Sequence, residues 1–362
     1  MEQKRVMLSV VDVESKYTID PAETVNGSSG IVSWGADNAL AKLLATCYEK
    51  SATLKATIDQ SVNYVCGDEV VVSDEAALWK EQINRRKQDM DTLVNHITYD
   101  YYIYGNFAIQ VIFNKLGMPV EMYPLDVSKC RLNENRDKVF YSKKGWTKYQ
   151  TKSEEYGRFG YADFDPEHPT QIYFYNGAGV RKTYNPAPWA AALDDVLTEI
   201  EGSRYSLNSV TNGFAARYII DIPDSSNLTD EQKEVIEDGI RNKFCGYDAE
   251  SNFMIYYGND EGKSLTVTKI EADESPEKFQ AIREGAKTNI FVSLRISPLL
   301  CGMGSEKTGF STQEFSDSYK LFDRTVASPV RKIVTDSIND IIGIKDGVTI
   351  KAFTITFDNA TE

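Results

Sequence analysis

Two long stretches of helical apolar spacing bracket a short strand, helix, strand pattern, and no other feature limits the possible folds as strongly. The first stretch follows Asn185-Pro186-Ala187-Pro188-Trp189 and carries Leu193, Val196, Leu197, Ile200, Leu207, Val210 and Phe214 on one stripe. Proline fits a first helical turn and blocks helix before it, so the motif reads as a helix start. The helix spans about 30 residues if unbroken, although Gly202 and Gly213 weaken it. The second stretch runs from Pro276 to about Leu294. Between them, Tyr218 to Ile222 and Phe253 to Tyr257 read as strands, joined through a helix that Thr229 and Gln232 would cap reciprocally. Long apolar stripes are unstable alone and need neighbours, from this chain or from other copies of it.

The rest is mixed. Residues 1–33 lack periodicity and read as an irregular arm. A helical pattern runs from Asp37 to Gly67, Glu69 to Val72 is a short strand, and Glu75 to Tyr104 is helical again. Phe107, Ile109, Val111 and Phe113 alternate with Ala108, Gln110, Ile112 and Asn114 up to a turn at Lys115 to Met118, after which Val120 to Leu125 runs back as a β-hairpin. Short strand-like pieces, Val139 to Tyr141 and Gln171 to Tyr175, follow. A glycine-rich loop spans Gly302 to Gly309 and a last helix, Ser311 to Ile342, should kink at Pro329. Thr349 to Phe357 alternates as a strand. The class expected is α+β.

Several functions can be set aside. A chain of 362 residues with 41% hydrophobic residues can bury a core without disulfides. Its five cysteines, Cys47, Cys66, Cys130, Cys245 and Cys301, are widely spaced and fit reduced thiols. The N-terminus carries charges where a secretory segment needs an apolar block, and no apolar run could span a membrane. Forty basic against 54 acidic residues leave a net charge of −14, unsuited to gripping phosphates but compatible with letting DNA slide past. Residues 221–263 alone hold eleven acids and four bases, either a solvated face or an acidic docking or pore surface.

Catalytic patterns are weak. Gly302-Met303-Gly304-Ser305-Glu306-Lys307-Thr308 looks like a phosphate loop, but Glu306 stands where a glycine must precede the lysine, and Pro298 lies where a strand should lead in. Two histidines, His96 and His168, do not support a multi-histidine metal site. Carboxylate pairs such as Asp194 with Glu199, or Glu237 with Asp238, are expected by chance among so many acids. No catalytic residue, metal or cofactor is assigned.

The order of pieces resembles the portal proteins of tailed bacteriophages. Trp34-Gly35-Ala36-Asp37-Asn38, the helix after it and Val62-Asn63-Tyr64-Val65-Cys66-Gly67 resemble the family's opening. Tyr104-Gly105-Asn106-Phe107 and the hairpin through Tyr123-Pro124-Leu125 resemble its wing hairpin, and Asn185 to Trp189 with the helix to Asn212-Gly213-Phe214 its first stem helix. Arg295-Ile296-Ser297-Pro298-Leu299-Leu300-Cys301-Gly302 resembles the turn after the second stem helix.

The resemblance implies an arm at 1–33, a wing at 34–187, stem helix 1 at 188–217 and a clip at 218–270. Stem helix 2 would occupy 271–294, a turn and tunnel loop 295–310, a kinked tunnel helix 311–342 and a C-terminal strand 343–362, with the helical crown of many portals absent or minimal. It also implies a ring, typically dodecameric, at one capsid vertex, assembled in the host cytoplasm and carried in the virion. Expected partners are other copies of the chain, the terminase large subunit, a head-tail adaptor, major capsid and scaffold proteins, and double-stranded DNA passing without sequence specificity; no membrane is involved. Lys307, Lys278, Arg283 and Lys287 are candidate DNA-channel cations, Gly302, Gly304 and Gly309 mark a mobile tunnel loop, and Glu234, Glu237 and Asp238 are candidate docking acids of the clip. An intracellular α+β enzyme acting on a carbohydrate, or another virion ring component, remains the alternative.

Overall fold

The computed structural model describes residues 22–27, 30–147, 152–177, 183–211, 217–222, 229, 231–233, 235–236, 253–257, 266–270, 276–303 and 312–354. The chain divides into two units, residues 1–193 with 290–362, and residues 194–289.

In the first unit the helical pattern expected from Asp37 to Gly67 is two helices, α1 (Leu40–Lys50) and α2 (Ala52–Cys66). Ser51 interrupts them because its backbone is extended and its hydroxyl accepts the Leu54 amide at 3.0 Å, starting a new helix. Strand β1 (Glu69–Val72) pairs antiparallel with β11 (Val348–Lys351) in a two-stranded sheet. The helix expected from Glu75 to Tyr104 is also broken, into a 3-10 turn at Asp74–Ala76, the short α3 (Leu78–Glu81) and α4 (Met90–Tyr104). In the gap Asn84 bonds the Met122 carbonyl at 2.8 Å and Gln88 at 2.9 Å and accepts the Arg86 amide, the side-chain competition by which Asn displaces helix. Asp89 then caps α4, and Gly105 ends it in the left-handed conformation.

The expected hairpin forms from β2 (Phe107–Phe113) and β3 (Pro119–Leu125). It is one edge of a six-stranded sheet ordered β3-β2-β7-β6-β5-β4, in which β4 is Cys130–Leu132, β5 Lys138–Tyr141, β6 Glu154–Arg158 and β7 Thr170–Tyr175. Within this sheet β6 and β7 pair in parallel and the other described neighbours antiparallel. The core gathers Leu93, Val94 and Ile97 of α4, Phe107, Ile109 and Val111 of β2, and Val334, Ile338 and Ile341 near the C-terminus, all at most 2% exposed. Of the arm, Val25 bridges Val32 and Ile31 bridges Asn133, so its described part is tied to the turn after β4.

Two motifs singled out in the sequence dock on each other. Asn106 donates to the Asn185 carbonyl at 2.9 Å and accepts the Asn185 amide at 3.0 Å, and the Trp189 indole donates to the Tyr102 carbonyl at 3.0 Å. A Cβ on Gly105 would strike the Pro186 carbonyl, which is why glycine occupies that close approach. The Trp34 to Asn38 motif is likewise a lock: Trp34 stacks on Tyr184 with centroids 4.7 Å apart, and Asn38 accepts from the buried Arg131 at 2.5 Å.

The last long helix is α7 (Thr312–Phe322), a π-helical segment (Asp323–Ala327) and α8 (Ser328–Ile342). The irregularity falls one turn before Pro329 rather than at it. Proline cannot donate to the carbonyl four residues back, and the turn before it widens, with the Ser328 amide bonding the Asp323 carbonyl.

A 3-10 turn, Ala190–Ala192, leads into α5 (Leu193–Thr211), nearly all of which belongs to the second unit. Three strands, β8 (Arg217–Ile222), β9 (Phe253–Tyr257) and β10 (Thr266–Ile270), form a sheet in which β8 pairs parallel with β9 and antiparallel with β10. The parallel pair is what a strand, helix, strand crossover requires, and the expected cap is present: Thr229 N donates to Gln232 Oε1 at 3.0 Å and Gln232 N to Thr229 Oγ1 at 3.3 Å. Helix α6 spans Pro276–Leu294 as expected, and within this unit Asn289 Nδ2 donates to Asp195 Oδ1 on α5 at 2.9 Å.

Candidate functional site

The described segments on either side of the expected tunnel loop are fixed by residues of the first unit. Upstream, Ser297 caps a 3-10 turn, Pro298–Cys301, and Gly302 closes it in the left-handed conformation with its amide on the Leu299 carbonyl. The Tyr64 hydroxyl holds this turn by donating to the Leu300 carbonyl at 3.1 Å. Downstream, Arg331 on α8 reaches back to the end of α2, donating to the carbonyls of Val65 at 3.0 Å and Tyr64 at 2.9 Å, and pairs with Asp323 of the π-helical segment. These carbonyls are among the last of α2 and have no partner within the helix, so a buried guanidinium supplies one. Tyr64 also sits among Tyr319, Phe322 and Phe353 at centroid distances of 5.2 to 6.3 Å. The loop proper, residues 304–311 with Gly304, Lys307 and Gly309, lies outside the described residues.

Of the candidate cations, Arg283 and Lys287 fall on one face of α6 by their spacing. Lys287 pairs with Glu284 at 2.8 Å, and the Nε of half-buried Arg283 is buried without a hydrogen-bond partner among the described residues. Lys278 lies on the first turn of the same helix, nine residues before Lys287 and off that face; its side chain lies outside the described residues. The docking acids Glu234, Glu237 and Asp238 also lie outside them.

A second cluster carries perturbed groups that the sequence did not flag. Asp100 on α4 is buried, accepts the Val127 amide at 3.3 Å and faces Asp126, and burial with that neighbouring charge raises its carboxyl well above the usual range. His96, one turn before it, lies 3.7 Å away, too far for a hydrogen bond, and burial lowers its imidazole below the ordinary value. A protonated carboxyl beside a neutral imidazole fits these directions better than an ion pair. Asp126 instead pairs with Lys129 at 3.0 Å. The only sequence signal was Asp100 at helical intervals of seven and three from the apolar Leu93 and Ile97, a polar residue on a buried face.

Burial raises the Cys66 and Cys301 thiols to about 11 and Cys47 to about 12, which makes them poor nucleophiles. Among the described residues no three His, Cys, Asp or Glu side chains are grouped to hold a metal ion, and no described helix is long and apolar enough to cross a membrane.

Comparison with known proteins gives a coherent result. The family model described as phage portal protein matches residues 48–352. No curated protein sequence matches the chain. Among solved structures, the chain resembles the virion of a native gene transfer agent particle at 14% identity and TM-score 0.55, covering 88% of this chain and 84% of that one. It also resembles the neck of a native gene transfer agent particle computed with C12 symmetry, at 13% identity and TM-score 0.56, covering 92% and 86%. An HK97-family phage portal protein from Corynebacterium diphtheriae aligns at 10% identity and TM-score 0.51, covering 85% and 93%.

Proposed function

The chain belongs to the phage portal protein family, and on that premise we propose that it is one subunit of a closed dodecameric ring at a single capsid vertex, through which double-stranded DNA passes during packaging and ejection. The observation that carries this reading is the family match across residues 48–352, which takes in the hairpin, both long helices, the small three-stranded unit and the interrupted last helix.

The charge fits the task. A channel that must release DNA repeatedly cannot neutralise many phosphates, and a net charge of −14 opposes tight binding. Lys278, Arg283, Lys287 and Lys307 then act as scattered, weak contacts, each worth about 1 kcal/mol or less where water screens the pair. Lys287 competes for its charge with Glu284. The acidic segment around Glu234, Glu237 and Asp238 is the docking surface for the terminase large subunit and the head-tail adaptor, because a charged rim suits exchangeable partners. Packaging chemistry belongs to the terminase, and this chain contributes position and a passage.

Mass photometry of the purified protein tests the reading. Twelve subunits of 40.7 kDa give a ring of roughly 490 kDa, with a central hole in negative-stain images. A species that stays monomeric at high concentration would refute it and favour the enzyme alternative; rings of other form would favour a different virion component.

A further inference from the structure

Where the Tyr104 to Phe107 and Asn185 to Trp189 motifs dock, they leave a cavity of about 350 Å³ within the first unit. Its walls include Tyr102 of α4, Asn185 and Pro188, Arg295, and Val326 and Val330 around the π-helical segment. Two of these residues carry orphaned polar atoms. The Tyr102 hydroxyl and the Asn185 Oδ1 are buried and make no hydrogen bond among the described residues, although Tyr102 is only 1% exposed and polar groups at that depth are ordinarily paired.

The third feature is Arg295. Its φ is +54°, a left-handed backbone that a residue with a Cβ adopts at a cost. Its side chain is exposed and forms no ion pair among the described residues. Its charge is close enough to act on both Tyr101 and Tyr102. Backbone strain, two buried polar atoms without a hydrogen bond and a guanidinium without an ion pair among the described residues converge on one cavity, the pattern of a site built for a partner.

The chemistry of the walls defines that partner. Arg295 and the Tyr102 hydroxyl, kept neutral by burial, donate; Asn185 Oδ1 accepts; Pro188, Val326 and Val330 are apolar. A carboxylate side chain on a peptide segment matches all of them: its oxygens take Arg295 and Tyr102, its backbone N–H meets Asn185, and its methylenes lie on the apolar wall. In a ring each subunit is flanked by two copies of a chain with 54 acidic residues. We propose that this cavity is the socket in which the neighbouring subunit seats an acidic side chain, so that ring closure satisfies groups the lone subunit leaves unpaired. The proposal rests on the ring reading above.

Three variants test it: Arg295→Gly, Arg295→Glu and Tyr102→Phe. In the dissociated subunit Arg295→Gly relieves the left-handed strain and Tyr102→Phe removes a hydroxyl that has no partner there, so each should melt at or above the wild-type temperature. In the ring both should raise the dissociation constant read by mass photometry on dilution by about tenfold or more, with Arg295→Glu more severe and Arg295→Lys partly restoring assembly. Wild-type rings with unchanged dissociation in Arg295→Gly and Tyr102→Phe would overturn the socket and leave solvent as the occupant. Failure of the wild type to form rings would overturn the ring reading and the socket with it.

Discussion

Arg331 joins three segments that are far apart in the chain, and replacing it with methionine isolates what that junction contributes. The substitution keeps an aliphatic stem of similar length and removes the guanidinium from the carbonyls of Tyr64 and Val65 and from Asp323. Hydrogen bonds from a charged donor are each worth about 1.5 to 3 kcal/mol, and the two carbonyls left behind lie at a buried helix end. Asp323 keeps a charge with a side chain only 24% exposed. Removing one member of such a pair costs about 3 to 5 kcal/mol, the same range as two lost bonds, so the contributions are not summed twice. For a unit of this size each kcal/mol moves the melting temperature by about 2 to 4 °C, so a fall of roughly 6 to 20 °C is expected by circular dichroism at fixed protein concentration. Adding Asp323→Asn should recover part of the loss, with a coupling of about 1 kcal/mol or more. A single variant melting within about 2 °C of wild type would show that Arg331 does not hold the π-helical segment to α2.

Gly105→Ala should cost roughly 2 kcal/mol or more in a urea titration, from the left-handed backbone and the collision with Pro186 together, and a neutral result would refute the tight motif contact. Because the folded state raises the Asp100 carboxyl, it binds more protons than the unfolded chain above pH ~4, and stability from this group declines as pH rises through the elevated value. Asp100→Asn should therefore raise the melting temperature at pH 8 and change it little at pH 4, while His96, lowered in the fold, still removes stability on acidification below about 6.5; a gain independent of pH would refute the buried neutral carboxyl. Changing Glu234, Glu237 and Asp238 to lysine should leave rings intact and block packaging in an in vitro assay, and packaging that survives at low salt would remove the docking role. Deleting residues 304–308 should permit ring assembly and DNA entry while impairing retention of packaged DNA; loss of rings would assign the loop a role between subunits.

Local signals were legible where one residue decides the backbone. Gly105 and Gly67 mark helix ends, Pro276 a helix start and Thr229 with Gln232 a cap, and these agree with the structure. Signals failed where a polar side chain outcompeted periodicity: Ser51 and Asn84 each split a stretch whose apolar spacing continues across the break. Strand β4 has three residues, too few for a period to register, and β6, Glu-Glu-Tyr-Gly-Arg, has no apolar alternation; the place of each is set by its sheet partners. The socket was illegible for a related reason. Nothing local distinguishes Tyr102 from its neighbour Tyr101; only the tertiary fold buries its hydroxyl without a partner among the described residues and sets it on a wall shared with Asn185 and Pro188.

The pairing of β1 with β11 sets a clock on biosynthesis. Glu69 and Lys351 lie 282 residues apart, so at 5 to 20 residues per second the first strand waits roughly 14 to 56 s on the ribosome for its mate. Through that interval β1 presents an unpaired edge, with Val70 uncovered until Val348 and its neighbours arrive. A nascent chain is thus unable to finish the surface around Gly67 and α2 before residues 348–351 have been made. Premature termination upstream of residue 348 would leave a sticky fragment rather than a smaller subunit, and a ring would be spared partners synthesised only in part.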